Sequence, residues 1–336
     1  MRLVLDAMGG DNAPAVTVAG AILAAKELSH EIVLVGPEIT IREEFAKHKH
    51  TASLPITFVN ANEVIGMDEN PALAVRQKKN SSMAVAARMV ADGKADAFVS
   101  AGNSGAAMAT SLFTMGRIPG VSRPAITTLF PTLNGMCAVL DVGANVDCKP
   151  IHLQQFAIMG KLYYKDVFGV DNPKVGLLSI GEEDSKGNEL TLSTFDILKK
   201  TNNLNFIGNV EGRDIPKGTA DVVVCDGFVG NVVLKLAEGI AEMLFSLIKN
   251  EMKAHPFAWG GIPFLWAALK GIKKRIDPSE YGGAPLLGIN GICIIGHGGS
   301  NEKAIKNALR AAAAAAKAQV HKDIAEEIKK YGVTDN

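Results

Sequence analysis

Short β-branched runs alternate with helical patterns almost from one end of the chain to the other, and nothing else in the sequence narrows the fold as far. Strands are expected at 2–6, 31–35, 56–60, 96–100, 125–130, 136–141, 174–180, 204–210, 220–225 and 291–296. Helices are expected near 14–28, 80–92, 104–115, 151–166, 188–200, 228–253 and 301–330. Several runs are apolar throughout, such as Val222-Val223-Val224-Cys225, as strands are when helices cover both faces of a sheet. The pattern predicts a three-layer α/β/α architecture. The runs 125–130 and 136–141, joined by Pro131-Thr132-Leu133-Asn134-Gly135, read as a hairpin, so the sheet is expected to be mixed though mostly parallel. The 336 residues suffice for one domain of two intertwined subdomains, with no repeat or long linker. Ala311–Ala316 is a strong helix former rather than a disordered tract.

Charge then narrows the function classes. Lysine plus arginine equals aspartate plus glutamate, 35 each, so no global field draws in nucleic acid and any electrostatic recognition is local. Cys137, Cys148, Cys225 and Cys293 lack C-x-x-C spacing, which argues against a zinc site or a disulfide framework and fits a reducing cytoplasm. The opening Met1-Arg2-Leu3-Val4-Leu5-Asp6 is too short an apolar run for a signal peptide. No stretch is long and apolar enough to span a bilayer.

Polar and glycine residues collect where the strands end. The turns are Asp6-Ala7-Met8-Gly9-Gly10-Asp11, Ala101-Gly102-Asn103-Ser104-Gly105-Ala106, Asp141-Val142-Gly143-Ala144-Asn145, Ile180-Gly181-Glu182-Glu183-Asp184-Ser185-Lys186-Gly187, Asp226-Gly227-Phe228-Val229-Gly230-Asn231 and Gly296-His297-Gly298-Gly299-Ser300. Ligands of open α/β sheets bind beyond the carboxyl ends of strands. Each turn has an ordinary reading, since glycine and asparagine are turn formers, but six together predict one composite site.

Gly102, Asn103, Ser104 and Gly105 precede an apolar helix, and a glycine-rich turn at a helix N-terminus is a natural phosphate cradle. The turn matches neither the dinucleotide nor the P-loop pattern, and G-x-S-x-G is absent, so Ser104 is expected to bind an anion rather than attack. Lys186 is either a cation that balances phosphate charge or a surface lysine paired with Glu182 or Glu183. Asn231 and Asn145 are donors for an oxyanion or turn residues. His297 is a proton donor to a leaving group or a phosphate ligand. Asp6, Asp141 and Asp226 orient such groups or cap the following turns. No metal constellation stands out in the sequence, and no cofactor is expected.

At these motifs, in order and over the whole chain, the sequence resembles the PlsX phosphate acyltransferase family. Ser100-Ala101-Gly102-Asn103-Ser104-Gly105-Ala106, Gly208-Asn209-Val210-Glu211-Gly212-Arg213-Asp214 and Cys225-Asp226-Gly227-Phe228-Val229-Gly230-Asn231 carry the likeness together with the Asp6 and Asp141 turns. Two departures stand out: Ser104 where the family usually has threonine, which keeps the hydroxyl, and Gly299 where it usually has serine. The resemblance implies transfer of a fatty acyl group from acyl carrier protein to inorganic phosphate. The acyl phosphate would feed a membrane glycerol-3-phosphate acyltransferase in phospholipid synthesis. It also implies a homodimer with the isocitrate/isopropylmalate-dehydrogenase-like fold. An NAD-dependent decarboxylating dehydrogenase on the same scaffold would need a nucleotide loop and an aspartate cluster, neither of which is evident; a non-catalytic lipid-responsive scaffold is the third reading.

Residues 228–276 read as a protruding helical region for dimer, membrane or carrier contact. Val229, Val233, Leu236, Ile240, Met243, Leu244 and Leu247 recur at helical spacing, suited to packing on the chain's own core or to a dimer helix pair. Trp259, Leu265, Trp266 and Leu269 lie beside Lys270, Lys273 and Lys274, a pattern that suits an anionic membrane surface or an acidic partner, or else internal packing. The resulting expectation is a cytoplasmic protein associated peripherally with the membrane.

Overall fold

A computed structural model describes residues 1–255, 268, 270–272 and 274–331. The expected strands form, and each carries side chains alternately into two apolar layers. In β1 (Arg2–Asp6), Leu3 and Leu5 enter one core while Val4 enters another. The same alternation splits Ala138 and Leu140 from Cys137 and Val139 in β6 (Met136–Leu140). A strand with apolar residues at every position therefore needs helices on both sides, and it has them.

The remaining strands are β2 (Glu31–Gly36), β3 (Ile56–Asn60), β4 (Ala97–Ser100), β5 (Ala125–Pro131), β7 (Val175–Leu178), β8 (Phe206–Val210), β9 (Val222–Val224), β10 (Ala284–Leu287) and β11 (Cys293–Ile295). They join one sheet in the order β3-β2-β1-β4-β11-β10-β5-β6-β9-β7-β8. The first five in that order are mutually parallel, and so are the last four. Three antiparallel pairings, β11 with β10, β10 with β5 and β5 with β6, connect the two parallel blocks. The expected hairpin is β5–β6, with Phe130 opposite Cys137.

One face of the sheet is covered by α1 (Ala15–Glu27), α6 (Pro150–Phe168), α7 (Glu189–Lys200), α10 (Glu302–Lys317) and α11 (Val320–Tyr331). On the other face, α3 (Pro71–Gln77), α4 (Ser82–Ala91) and α5 (Ser104–Met115) cover the first block. The short α8 (Asp214–Lys217) and the start of α9 (Gly227–Ala254) cover part of the second. A peripheral helix, α2 (Glu38–Ala46), packs beside β2 and β3.

Four differences from the sequence expectation have local causes. The helix predicted over 301–330 is two helices, broken where Gln319 adopts a positive φ of 52°. Helix α2 buries only Ile41 completely, too thin a stripe to show as periodicity. Helix α3 has a proper start, with Asn70 as N-cap and Pro71 in its first turn, but runs only seven residues. Strand β10 holds Pro285, which argues against a central strand, yet it bonds neighbours on both edges.

Candidate active site

The turns singled out in the sequence fall into two groups, one at each parallel block. In the first, Asp6 ends β1 as a buried carboxylate. Its Oδ1 accepts from the Met8 amide (3.2 Å) and its Oδ2 from the Ser100 hydroxyl (2.8 Å). Ser100 Oγ in turn accepts from the Gly102 amide (3.1 Å), so the Asp6 and Gly102 turns are tied through one serine that the sequence reading overlooked. The approach is close enough to require glycine. A Cβ on Gly9 would sit 2.7 Å from both Asp6 Oδ2 and the Gly102 nitrogen. The third member joins through the Asp11 amide, which donates to the Gly298 carbonyl (2.9 Å). These turns pack closely on one another and on the start of α1, leaving only a shallow depression lined mainly by Gly9, Gly10, Ala101, Gly298 and Ser300.

Asn103 is the N-cap of α5. Its Oδ1 accepts from the Ala106 amide (3.0 Å), and its Nδ2 donates to the carbonyls of Met67 (2.9 Å) and Glu69 (3.0 Å). The side chain is thus committed to holding the turn against the loop before α3. Ser104 and Gly105 occupy the first positions of α5, where amides have no partner inside the helix. The Ser104 hydroxyl is exposed beside them. Those donors, with the positive end of the helix dipole, are what the turn offers an anion. The His297 ring is exposed, and its Nδ1 accepts from the Gly299 amide (3.1 Å), which in the neutral ring leaves the proton on Nε2. His297 can therefore present a donor to a ligand. A Cβ at Gly299 would stand 3.4 Å from Nδ1, an ordinary contact, so the bond does not depend on glycine at this position.

In the second group, Asp141 follows β6 and is fully buried. Its Oδ1 accepts from the amides of Ile126 (3.0 Å), Gly143 (3.3 Å) and Ala144 (3.1 Å). Its Oδ2 accepts from the Asn145 amide (2.6 Å) and Nδ2 (2.9 Å). Asn145 Nδ2 also donates to the Pro124 carbonyl (2.7 Å), so this amide locks the turn and has no hydrogen left for a ligand. Asp226 is the N-cap of α9, accepting from the Val229 amide (2.9 Å). The α9 start is pressed onto the Asp141 turn: the Gly227 amide donates to Asn145 O (2.8 Å), and a Cβ on Gly230 would lie 1.9 Å from Asp141 O. Asn231 is exposed at the start of the second turn of α9, with its amide carbon 3.8 Å from where a Gly143 Cβ would stand. Among the described residues that amide has no internal hydrogen bond, which leaves it available to substrate.

Burial raises the carboxyls of both Asp6 and Asp141 above their ordinary range, because removal from water outweighs the hydrogen bonds they accept. Cys148, near the Asp141 turn, is pushed up to about 12 by the same cause, so its sulfur stays a protonated thiol and is no ready nucleophile.

Lys186 stands in the loop after β7. Its backbone carbonyl accepts from Ser179 Oγ (3.0 Å) and Asn209 Nδ2 (3.3 Å), while its exposed side chain forms no ion pair with Glu182 or Glu183. Nearby, carboxylate oxygens of Glu182, Glu211 and Asp214 lie within 4.8 Å of one another, a proximity that sequence spacing did not reveal. Arg213 bridges Glu211 at 2.5 Å and Lys217 bridges Asp214 at 2.9 Å, so basic side chains already offset much of that charge.

Helix α9 leaves the body of the domain. Of its 28 residues only Gly227 and Gly230 are fully buried, and Leu236 is 61% exposed with Ile240, Met243, Leu244 and Leu247 similarly open. Packing on the chain's own core is thus limited to the first turns, where Val233 and Leu234 meet the core under β6 and β9. Lys270 and Lys274 are exposed, with Ile272 between them. Trp259, Leu265, Trp266, Leu269 and Lys273 lie outside the described residues. Among those described, no helix is long and apolar enough to cross a membrane.

Known proteins share both the fold and the sequence. The chain superimposes on a phosphotransacetylase from Streptococcus pyogenes with a TM-score of 0.62 at 19% identity, covering 95% of this chain and 94% of that one. The EutD phosphotransacetylase from Staphylococcus aureus gives 0.61 at 16% identity, with 94% of each chain covered. A 4-hydroxythreonine-4-phosphate dehydrogenase from Burkholderia phymatum gives 0.50 at 12% identity over 93% of this chain and 97% of that one. At these identities the likeness concerns the fold, which phosphotransacetylases and a dehydrogenase thus share. In sequence, the family model described as "Fatty acid synthesis protein" matches residues 1–323. The "Phosphate acyltransferase" of Endomicrobium trichonymphae is 59% identical over 334 residues, 98% of each chain. That of Trichlorobacter lovleyi is 55% identical over 333 residues, 99% of this chain and 96% of its own. With identity of that order along nearly the full length, the chain belongs to the PlsX phosphate acyltransferase family and is an acyltransferase.

Proposed function

We propose that this acyltransferase takes a fatty acyl group from the thioester of an acyl carrier protein and transfers it to inorganic phosphate, giving the acyl phosphate used in phospholipid synthesis. The observation that carries the reading is the start of α5. Unsatisfied amides and the exposed Ser104 hydroxyl converge there on a turn held rigid by Asn103, Ser100 and Asp6. Phosphate is already anionic near neutral pH, so the turn has to hold and orient it more than activate it, and orientation can be worth about 7–11 kcal/mol in favourable cases. Of the four residues expected to bind phosphate, Gly102 and Asn103 shape the turn, while Ser104 and Gly105 supply the donors.

The second group supplies the oxyanion donor in this reading. Six pairings separate β1 from β9, and at a twist of about 20–25° per pairing the strand direction turns by about 120–150°. The odd number of antiparallel pairings sets the blocks nominally opposed, and a twist of that size would carry their carboxyl ends back toward one side. That supports a shared cleft in which Asn231 and His297 face the thioester carbonyl and Lys186 balances phosphate charge. Attack by a phosphate oxygen gives a tetrahedral oxyanion, which collapses with departure of the carrier thiolate. The thiolate is a good leaving group and needs little protonation.

The exposed apolar stripe of α9 suits a homodimer helix pair. Cytoplasmic placement, anionic membrane contact through Lys270 and Lys274, and delivery to a membrane glycerol-3-phosphate acyltransferase complete the proposal. Thiol release from an acylated carrier tests it: release must depend on inorganic phosphate. Ser104→Ala must raise the KM for phosphate by about tenfold, as loss of one hydrogen bond to a charged group implies. Thiol release independent of phosphate rejects the reading.

A further inference from the structure

On the outer face of the first block, α3, α4 and α5 enclose a groove of about 290 Å³ that the turns described above do not use. Its walls carry three cations, Arg76 from α3, Lys79 from the following turn and Arg88 from α4. Arg88 is held in place by donation to the Lys79 carbonyl (2.8 Å). Among the described residues none of the three has an acidic partner in an ion pair, whereas the neighbouring Lys78 is paired with Glu69. Thr110 of α5 lines the same groove. The residue is 1% exposed, and among the described residues its hydroxyl has no hydrogen-bond partner, a costly omission for a buried polar group unless a ligand supplies one. Phe113, 70% exposed, offers an apolar surface at the rim.

The groove is coupled to the phosphate turn by the helices that form both. Pro71 at the start of α3 abuts Gly105 at the start of α5, its Cγ only 2.7 Å from where a Cβ would stand. Farther along the same helices, Val75 and Arg76 face Thr110, Phe113 and Thr114 across the groove. At a rise of 1.5 Å per residue, Thr110 to Thr114 lie about 9–15 Å beyond Ser104 along α5. A thioester bound at the turn therefore has its arm within reach of three unpaired cations.

We infer that the α3–α4–α5 groove binds the phosphate ester at the far end of the acyl donor's pantetheine arm, anchoring the donor while its thioester reaches the turn at Ser104. This rests on the acyl-thioester reading above. Arg76 and Lys79 supply the charge, the Thr110 hydroxyl bonds an ester oxygen once its side chain turns toward the groove, and Phe113 covers the apolar part of the arm. Such exposed pairs are individually weak and are weakened further by salt, so two cations are removed together.

The test compares acyl-pantetheine, acyl-phosphopantetheine and the acylated carrier as donors for the wild-type enzyme and for Arg76→Gln/Lys79→Gln, with folding checked by thermal melting. The expected result is a rise of about tenfold in KM for both phosphorylated donors, with kcat and the KM for inorganic phosphate held and acyl-pantetheine little affected. Equal changes for all three donors, or none, overturn the inference. So does a change confined to the carrier, which would make the groove a reader of protein surface, or a change in the KM for inorganic phosphate. Direct binding of phosphopantetheine, followed by calorimetry, separates the two proposals. Failure of phosphate-dependent thiol release with retained groove-dependent binding rejects only the reaction. Absence of binding to the wild-type groove rejects the anchor.

Discussion

Asp6 and Asp141 end strands in the two parallel blocks, and both are buried carboxylates beneath glycine turns, yet they are built differently. Asp6 is held by the hydroxyls of Ser82 and Ser100 and by the amides of Met8 and Gly9, and a hydroxyl can turn to donate or to accept. Asp141 takes five donors, none of which can reverse its role. The first carboxylate leaves adjacent donors of α5 free for a ligand, whereas the second spends nearly everything around it on holding a turn to a helix. The contrast separates a site that binds from a frame that positions, and substitutions can break or sharpen it.

The largest effect is expected at the frame. Gly230→Ala normally favours a helix, but here the added carbon meets Asp141 O at 1.9 Å and forces α9 off its turn. A loss of about 4 kcal/mol or failure to fold, read by chemical denaturation, is expected for such overpacking against backbone. Asp141→Asn comes next, at about 3 kcal/mol, because an amide placed either way points N–H groups at donors and leaves buried groups unpaired. An Asp141→Asn protein as stable as wild type would dissolve the distinction.

Asn231→Ala keeps the frame and removes the free donor, so kcat is expected to fall by about 100-fold with stability and the KM for phosphate nearly unchanged. Steady-state kinetics with varied phosphate would show a raised KM instead if Asn231 belonged with Ser104.

Asp6→Asn is expected to cost only about 1 kcal/mol, since the new amide can donate to Ser100 while its oxygen still accepts from Met8. Its pH dependence sharpens the point. The unfolded carboxyl titrates near 3.8 and burial raises the folded one, so the native state holds the proton more tightly. That contribution is complete below the unfolded value and is lost as pH rises through the folded one. Asparagine does not titrate, so the deficit of Asp6→Asn shrinks as pH rises from the unfolded value of 3.8 through the raised folded one; a widening deficit in urea melts would contradict the burial argument.

Much of this was legible residue by residue. The helix at 104–115 begins and ends where its sequence predicts, because an asparagine cap, a glycine stop and an apolar stripe all act within a few residues. The polar turns were legible as turns. Their division of labour was not. Asn103 and Asn145 are the same residue type as Asn231 in similar glycine turns, and only their distant partners, Met67, Glu69 and Pro124, show that two are spent and one is free. Ser100 carried no signal either, since its role depends on a carboxylate 94 positions away.

The sequence alone determined the alternation of strands and helices, the two-sided burial of the sheet, the family and the chemistry offered at each strand end, since all of these depend on local periodicity and local hydrogen bonding. Tertiary structure decided which ends meet. The four residues of β10, with a proline among them, join two parallel blocks through antiparallel pairings, and the unpaired groove between α3, α4 and α5 exists only once those helices share one face. Such pairings bring together residues far apart in the chain, and the free energy that selects them comes from burial and partner choice that no short window of sequence contains.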